Sequence, residues 1–272
     1  MDHRIRTVDD VLGLLDGLFA PAADRWTAAA GPWWDAFYAD RSRGIPFFVR
    51  KPDENLASYL DRGLVPAGGR ALDLGCGPGR NALYLVARGF RVDAVDLSPV
   101  AVAWAEERAA AAGVPRLPGA RDTPSALGPS AAGLRLLCGD AFALPPSELD
   151  GPYDLVHDSG CFHHLPPHRR ISYLALLDRV LAPGGHFALT CFTDGQTGSE
   201  LPDRAFYERA GLEGGLAYSQ ADLRYVFADL DEVEQRVMRD ETADSPYFGE
   251  PFLRTALFRK PGGAAAPVPG TR

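Results

Sequence analysis

Arg70-Ala71-Leu72-Asp73-Leu74-Gly75-Cys76-Gly77-Pro78-Gly79-Arg80-Asn81 decides the fold of this chain. It reads as a buried strand closing on a carboxylate, a glycine-rich turn, and the opening of a helix. Glycines at alternate positions let the backbone pass close to a ligand. The amides that open the following helix then face whatever lies in the turn. Arg91-Val92-Asp93-Ala94-Val95-Asp96 is a second short strand, also ending in an acid. Asp96 follows Gly75 by about 20 residues, the separation at which a strand-end carboxylate meets a ribose diol in nucleotide-binding α/β units.

A dinucleotide fold asks for G-x-G-x-x-G, whose last glycine lets helix and strand pack closely. Here the glycines fall at 75, 77 and 79, and Arg80 holds the position of the third. Asp73 adds a second departure. It would repel a pyrophosphate and attract an ammonium or a sulfonium.

Three later segments extend the pattern: Leu137-Cys138-Gly139-Asp140-Ala141-Phe142, Asp158-Ser159-Gly160-Cys161-Phe162-His163-His164-Leu165, and Leu181-Ala182-Pro183-Gly184-Gly185-His186-Phe187. With the two strand-end acids, they make the chain resemble the class I S-adenosylmethionine (SAM)-dependent methyltransferases, in particular the small-molecule enzymes of the thiopurine and tellurite-resistance type. The resemblance covers roughly Asp53 to Lys260. It implies an α/β Rossmann-like sheet of seven strands in the order 3-2-1-4-5-7-6, the last strand antiparallel, with helices on both faces and an N-terminal helical cap. The implied division is a cap or lid over 1–62, a methyltransferase domain over 63–260 and a disordered tail over 261–272.

The resemblance also implies roles. Asp73 would anchor the methionine amino group of SAM, and the backbones of Gly75, Cys76 and Gly77 would line its methionyl and ribose portion. Asp96 would accept both ribose hydroxyls, and Leu97 would lie against the adenine. Asp140 would receive the exocyclic amine while Ala141 and Phe142 flank the ring. Asp158 is placed near the methionine moiety or the acceptor, and Asp158, His163 and His164 are the candidate bases. The product would be S-adenosylhomocysteine (SAH). Taken singly, each feature has a purely structural reading. Asp96 could partner the helix start at Ser98, Asp140 could be a turn residue, and Pro183-Gly184-Gly185 could simply stop a helix.

Composition narrows the alternatives. The 28 basic and 36 acidic residues give a net charge of −8, which argues against a large nucleic-acid footprint. Arg41, Arg43, Arg50 and Lys51 read as a solvated rim. No apolar run approaches membrane-spanning length and no export signal is legible at the N-terminus. The four cysteines form no C-x-x-C pair, so a cytoplasmic protein without a zinc ribbon or disulfide framework is expected. His157, Cys161, His163, His164 and His168 lack metal-ligand spacing, and no metal is expected.

Elsewhere, Thr7-Val8-Asp9-Asp10 opens a helix as a capping box. Val8, Val11, Leu12, Leu15, Leu18 and Phe19 give that helix one apolar face, suited to the catalytic domain or to a second subunit in a homodimer. Trp33, Trp34, Phe37, Tyr38, Phe47 and Phe48 precede the first strand, either as a packed cap or as a cover for the sulfonium. Pro52-Asp53-Glu54 caps a further helix towards Asp61. Gly113 to Gly133 reads as an insertion loop. The leading reading is methyl transfer to a small molecule, no nucleic acid or membrane being involved. A non-catalytic SAM-binding sensor or partner subunit and an NAD-dependent oxidoreductase are the alternatives.

Overall fold

Gly69–Leu74 forms strand β1, and the unbroken burial of Ala71 to Leu74 fits a strand covered on both faces. In the computed structural model, which describes residues 5–19, 25, 30–118 and 131–262, β1 lies near the middle of a seven-stranded sheet ordered β3-β2-β1-β4-β5-β7-β6. The other strands are β2 (Phe90–Asp96), β3 (Gly133–Cys138), β4 (Tyr153–Ser159), β5 (Leu181–Phe192), β6 (Asp231–Val237) and β7 (Leu253–Arg259). β3 through β5 run parallel, and β7 is antiparallel to both β5 and β6. The order expected from the sequence is therefore found. Strand order reverses between β1 and β4, and in open α/β sheets such a switch point carries the ligand crevice beyond the carboxyl ends of the strands.

Among the described residues, helices α1 (Val8–Asp16), α2 (Gly31–Ala39) and α3 (Glu54–Asp61) precede the sheet. Helices α4 (Arg80–Ala87), α5 (Pro99–Ala111) and α6 (Arg170–Val180) cover it, and α7 (Asp203–Arg209) and α8 (Gln220–Val226) lie between β5 and β6. One sheet face packs Leu72, Leu74, Val156 and Leu189 with Tyr173, Leu176 and Leu177 of α6. The other packs Ala71, Val92, Leu155 and Ala188 with Leu85 and Val86 of α4 and with Leu56, Tyr59 and Leu60 of α3. By packing, α3 is thus part of the core.

Several local expectations are modified. The capping box at Thr7 forms, yet α1 buries only Leu12 of its own residues, and Phe19 just beyond it, while Val8 is 61% and Leu14 57% exposed. Asp16, on the inward side, ties the helix down through His168 and Arg169. Asp53 sits at the N-cap of α3 but makes no capping hydrogen bond; its carboxylate is turned towards Arg80 and Asn81. Pro183-Gly184-Gly185 lies inside β5, where the register with β4 shifts between Tyr153 and Leu155. The expected loop and tail fall largely on residues 119–130 and 263–272, outside the described residues. No helix of the described residues is long and apolar enough to cross a membrane.

Candidate active site at the carboxyl ends of the parallel strands

A cavity of about 210 Å³ opens at the switch point. Its floor is the glycine-rich turn between β1 and α4. Gly75 takes a φ of +64°, and a Cβ there would stand 2.7 Å from the Cβ of Cys161. The turn is fastened from β2, since the Cys76 amide donates to the Val95 carbonyl (3.0 Å) and the Gly77 amide to Asp96 Oδ2 (2.8 Å). Asp96 Oδ1 accepts from the Ser98 amide (2.9 Å). Burial pushes the Asp96 carboxyl up to about 6, against the pull of those two amides, with Asp73 and Asp35 adding to the rise.

Asp73, Gly75, Cys76, Gly77, Asp96, Leu97, Asp140, Ala141, Phe142, His163 and His164 all line this one cavity. Asp140 is held by its own turn, accepting from the Phe142 amide (2.9 Å). The aromatic segment reaches the cavity through Trp34, Tyr38 and Phe47, and Phe192, Phe248 and Phe252, which pack in one cluster with Phe47, line it too. Helix α2 is latched over the site because Ser98 Oγ donates to Asp35 (2.5 Å). Arg43 and Arg50 do not line the cavity.

Asp158 is the exception. Successive side chains of a strand point to opposite faces, and β4 sends His157 to the α4 side and Asp158 to the α6 side. Asp158 Oδ1 accepts from the Cys161 amide (2.8 Å), and Oδ2 accepts from the Phe162 amide (3.0 Å) and the Tyr173 hydroxyl (2.7 Å). It is fully buried and does not line the cavity. The acid expected to serve the donor or act as a base instead ties the loop after β4 to α6.

His163 and His164 reach the cavity in a state poorly suited to taking a proton. His163 stacks on Phe192 with ring centroids 3.8 Å apart, and its Nδ1 accepts from the Phe192 amide. That bond fixes the neutral tautomer with its proton on Nε2. Burial, reinforced by His164, holds His163 well below the ordinary histidine range. Burial and the charge of Arg25 bring His164 down to about 3, despite a backbone contact at Gly214 that favours the charged form.

Sequence reasoning missed a row of charges beside the floor. Asp73 and His157 are register partners across β1 and β4, and His157 Nδ1 lies 2.7 Å from Asp73 Oδ1. On the far side, His157 Nε2 is 3.6 Å from Asp53 Oδ2. Asp53 pairs with Arg80, which also donates to Ser159 Oγ (3.1 Å) and lies over the Phe248 ring at 4.3 Å. Asn81 grips Asp53 twice, through its backbone amide (2.9 Å) and its carboxylate (3.1 Å). Arg80, which displaces the third glycine of a dinucleotide turn, was visible in the sequence; its partner 27 residues earlier was not.

The cavity suits a doubly cationic nucleoside in two respects. Asp73 Oδ2 is buried, belongs to a cavity-lining residue, and has no hydrogen-bond partner among the described residues. The turn also presents bare backbone to the cavity at Gly75 and Gly77, where an added Cβ would press on Cys161 (2.7 Å) and on the Tyr38 hydroxyl (3.1 Å). Both suit an ammonium-bearing ligand resting on the turn. Among the described residues no three His, Cys, Asp or Glu side chains gather as a metal site.

Residues 29–223 match the thiopurine S-methyltransferase family. A thiopurine S-methyltransferase of Xanthobacter autotrophicus is 35% identical over 127 residues, 47% of this chain and 57% of that protein. An uncharacterized methyltransferase of Synechocystis sp. is 33% identical over 142 residues, 52% of each chain. The chain spans about half the length of the curated relatives it matches. Among solved structures, one described as converting a disulfide bond into a thioacetal group during echinomycin biosynthesis superposes with a TM-score of 0.62 at 23% identity. The match covers 86% of this chain and 93% of that one.

Proposed function

Because the chain belongs to the thiopurine S-methyltransferase family of class I SAM-dependent methyltransferases, we propose that it transfers a methyl group from SAM to a small molecule bound beneath the aromatic segment. The observation that carries the reading is the pair of buried carboxylates, Asp73 and Asp96, flanking a glycine floor at the switch point. In this reading Asp73 Oδ2 receives the donor's ammonium, and the backbone of Gly75, Cys76 and Gly77 lies along its methionyl and ribose portion. Asp96 accepts the ribose hydroxyls. Leu97, Ala141 and Phe142 sandwich the adenine, and Asp140 receives its amine.

SAM supplies an electrophilic methyl on a sulfonium, open to in-line attack. The chain's own contribution is alignment and exclusion of water. Trp34, Phe47, Phe192, Phe248 and Phe252 form an apolar wall over the donor floor, which suits a flat or apolar acceptor. With His163 and His164 held neutral and Asp158 turned away, no group at the cavity is arranged as a general base among the described residues. The acceptor therefore brings a nucleophile that is reactive without one, as a thiol ionising near neutral pH does.

Calorimetry with SAH and with NAD⁺ tests the donor. SAH is expected to bind and NAD⁺ not to, because Asp73 faces the place a diphosphate would take; the reverse result sinks the proposal. Asp96→Ala should weaken SAH by roughly 10- to 100-fold, the value of two hydrogen bonds to a charged acceptor. Affinity in the unaltered protein should also decline as pH falls through about 6, where Asp96 gains a proton and ceases to be a full acceptor. An Asp96→Ala protein that binds SAH normally would remove Asp96 from the site.

His163→Ala and His164→Ala should each retain SAH binding. Turnover in the unaltered enzyme, with an acceptor found from a panel of small thiols and heterocycles, should show no limb near the usual histidine range that either substitution removes. A limb that vanishes in one variant would identify a base after all.

A further inference from the structure

His157 takes no part in the roles above, yet it is fully buried and stands between two carboxylates. Its position is set by the sheet. In the layer containing Asp73 and His157, the register partners on the outer strands are Ala94 of β2 and Ala188 of β5. These small neighbours leave the imidazole room to lie along the sheet surface beneath α4. The ring reaches Asp73 from one nitrogen and faces Asp53 from the other.

We infer that His157 is a positioning residue: an imidazolium bridge that occupies Asp73 Oδ1, aims Oδ2 at the donor's ammonium, and links the donor floor to the wall built from Asp53, Arg80 and Phe248. The inference rests on the donor reading above. A carboxylate with one oxygen committed cannot rotate freely, so its open oxygen is presented in one direction. That preorganisation is what converts a buried charge into selective recognition.

The charge balance supports the bridge. Asp73 on β1, His157 on β4, Asp53 before α3 and Arg80 on α4 alternate in sign along one row. Asp158 adds a further negative charge from the opposite face of β4. Burial alone would drive a proton off the ring, but the two flanking carboxylates override it and raise His157 to about 9. His157 Nε2 makes no hydrogen bond and faces Asp53 Oδ2 at 3.6 Å, so a neutral ring with its proton on Nδ1 would turn a lone pair towards that carboxylate, whereas the imidazolium turns an N–H towards it.

The wall is continuous with the bridge. The Phe248 amide donates to the Pro52 carbonyl (2.8 Å), and the Glu54 amide donates to the Phe248 carbonyl (2.9 Å), so the segment carrying Asp53 is clasped to the loop before β7. Arg80 lies over that same Phe248 ring. Through His157, the acid that faces the donor and the aromatic side of the acceptor space share one support.

Two measurements test this. The first uses the whole unaltered protein with ¹⁵N-labelled histidine and needs no ligand. The ring nitrogens of His157, assigned by their loss in His157→Gln, should report an imidazolium throughout pH 6 to 8; a neutral ring in that range overturns the bridge. The second compares SAH with the SAH analogue lacking the α-amino group. The unaltered protein should prefer SAH, and His157→Gln should cut that preference about 10-fold, the scale of one misaligned charge-assisted hydrogen bond. An equal loss for both ligands overturns the inference. Asp53→Asn, which leaves the imidazole in place, is measured in parallel and should lower the His157 titration point. A protein that binds neither ligand but carries the imidazolium refutes the donor reading and leaves the bridge standing.

Discussion

Replacing Gly75 by alanine is expected to lower SAH affinity by about 100-fold and the melting temperature by roughly 5–15 °C. Two costs combine. A φ of +64° disfavours any residue with a Cβ by ~1–2 kcal/mol. The new methyl would also meet Cys161 Cβ at 2.7 Å, an overpacking worth ~1–3 kcal/mol. Relief requires the loop after β4 to retreat from the turn, or the turn to rise into the cavity, and either movement disturbs the floor. Gly195→Ala separates the two costs. Gly195 has a φ of +73° but nothing within 4 Å of its Cβ position, and it does not line the cavity. It should lose ~1–2 kcal/mol of stability while SAH affinity stays unchanged. Thermal melts and calorimetry on the two variants check both statements. Normal SAH binding by Gly75→Ala would mean that the turn is not the floor of the donor site.

The contrast shows how far local sequence carries. The strand, turn and helix around Gly75 could be read because each step is dictated over a few residues: a short buried run, glycines where a Cβ is forbidden, an acid at the strand end. Strand order followed from the resemblance and was found as expected. The place of Asp96 at the cavity was legible from its separation from the glycine turn, and that of Asp140 followed from the resemblance. What could not be read was anything set by pairing across the sheet. Asp73 meets His157 only because β1 and β4 pair in one particular register, and no periodicity within either strand reveals that register. Asp53 looked like a helix cap since its neighbours spell one; the buried Arg80 outcompeted the orphan amides of α3 for its carboxylate. The apolar stripe of α1 was visible, but which part of it turns inward depends on Asp16 finding His168 and Arg169 far along the chain. Tertiary partners decided each of these cases.

Asp158 provides the sharpest test of that distinction, because sequence pattern and structure assign it different work. Asp158→Ala is expected to destabilise the fold by ~3–5 kcal/mol, leaving the Cys161 and Phe162 amides and the Tyr173 hydroxyl buried without their acceptor. Asp158→Asn should behave otherwise. Its amide oxygen can still accept from the backbone, and the Tyr173 hydroxyl can turn to accept from the new N–H group. Burial pushes the Asp158 carboxyl up to about 6, above its unfolded value, although the Tyr173 hydroxyl and the amides favour the anion. A group raised in this way favours the folded state fully at acid pH, and that advantage is lost as pH climbs from about 4 through 6, a change worth ~3 kcal/mol. Removing the titration with asparagine should flatten stability across that window and leave the neutral-pH protein as stable as the original or more so. SAH affinity and turnover in Asp158→Asn should stay within a few-fold of the unaltered protein, because the side chain does not reach the cavity. Denaturant melts between pH 4 and 8, run beside SAH titrations, read both effects. A stable Asp158→Asn protein with abolished turnover would return Asp158 to the reacting groups, and the strand-face argument that removed it would have to be wrong.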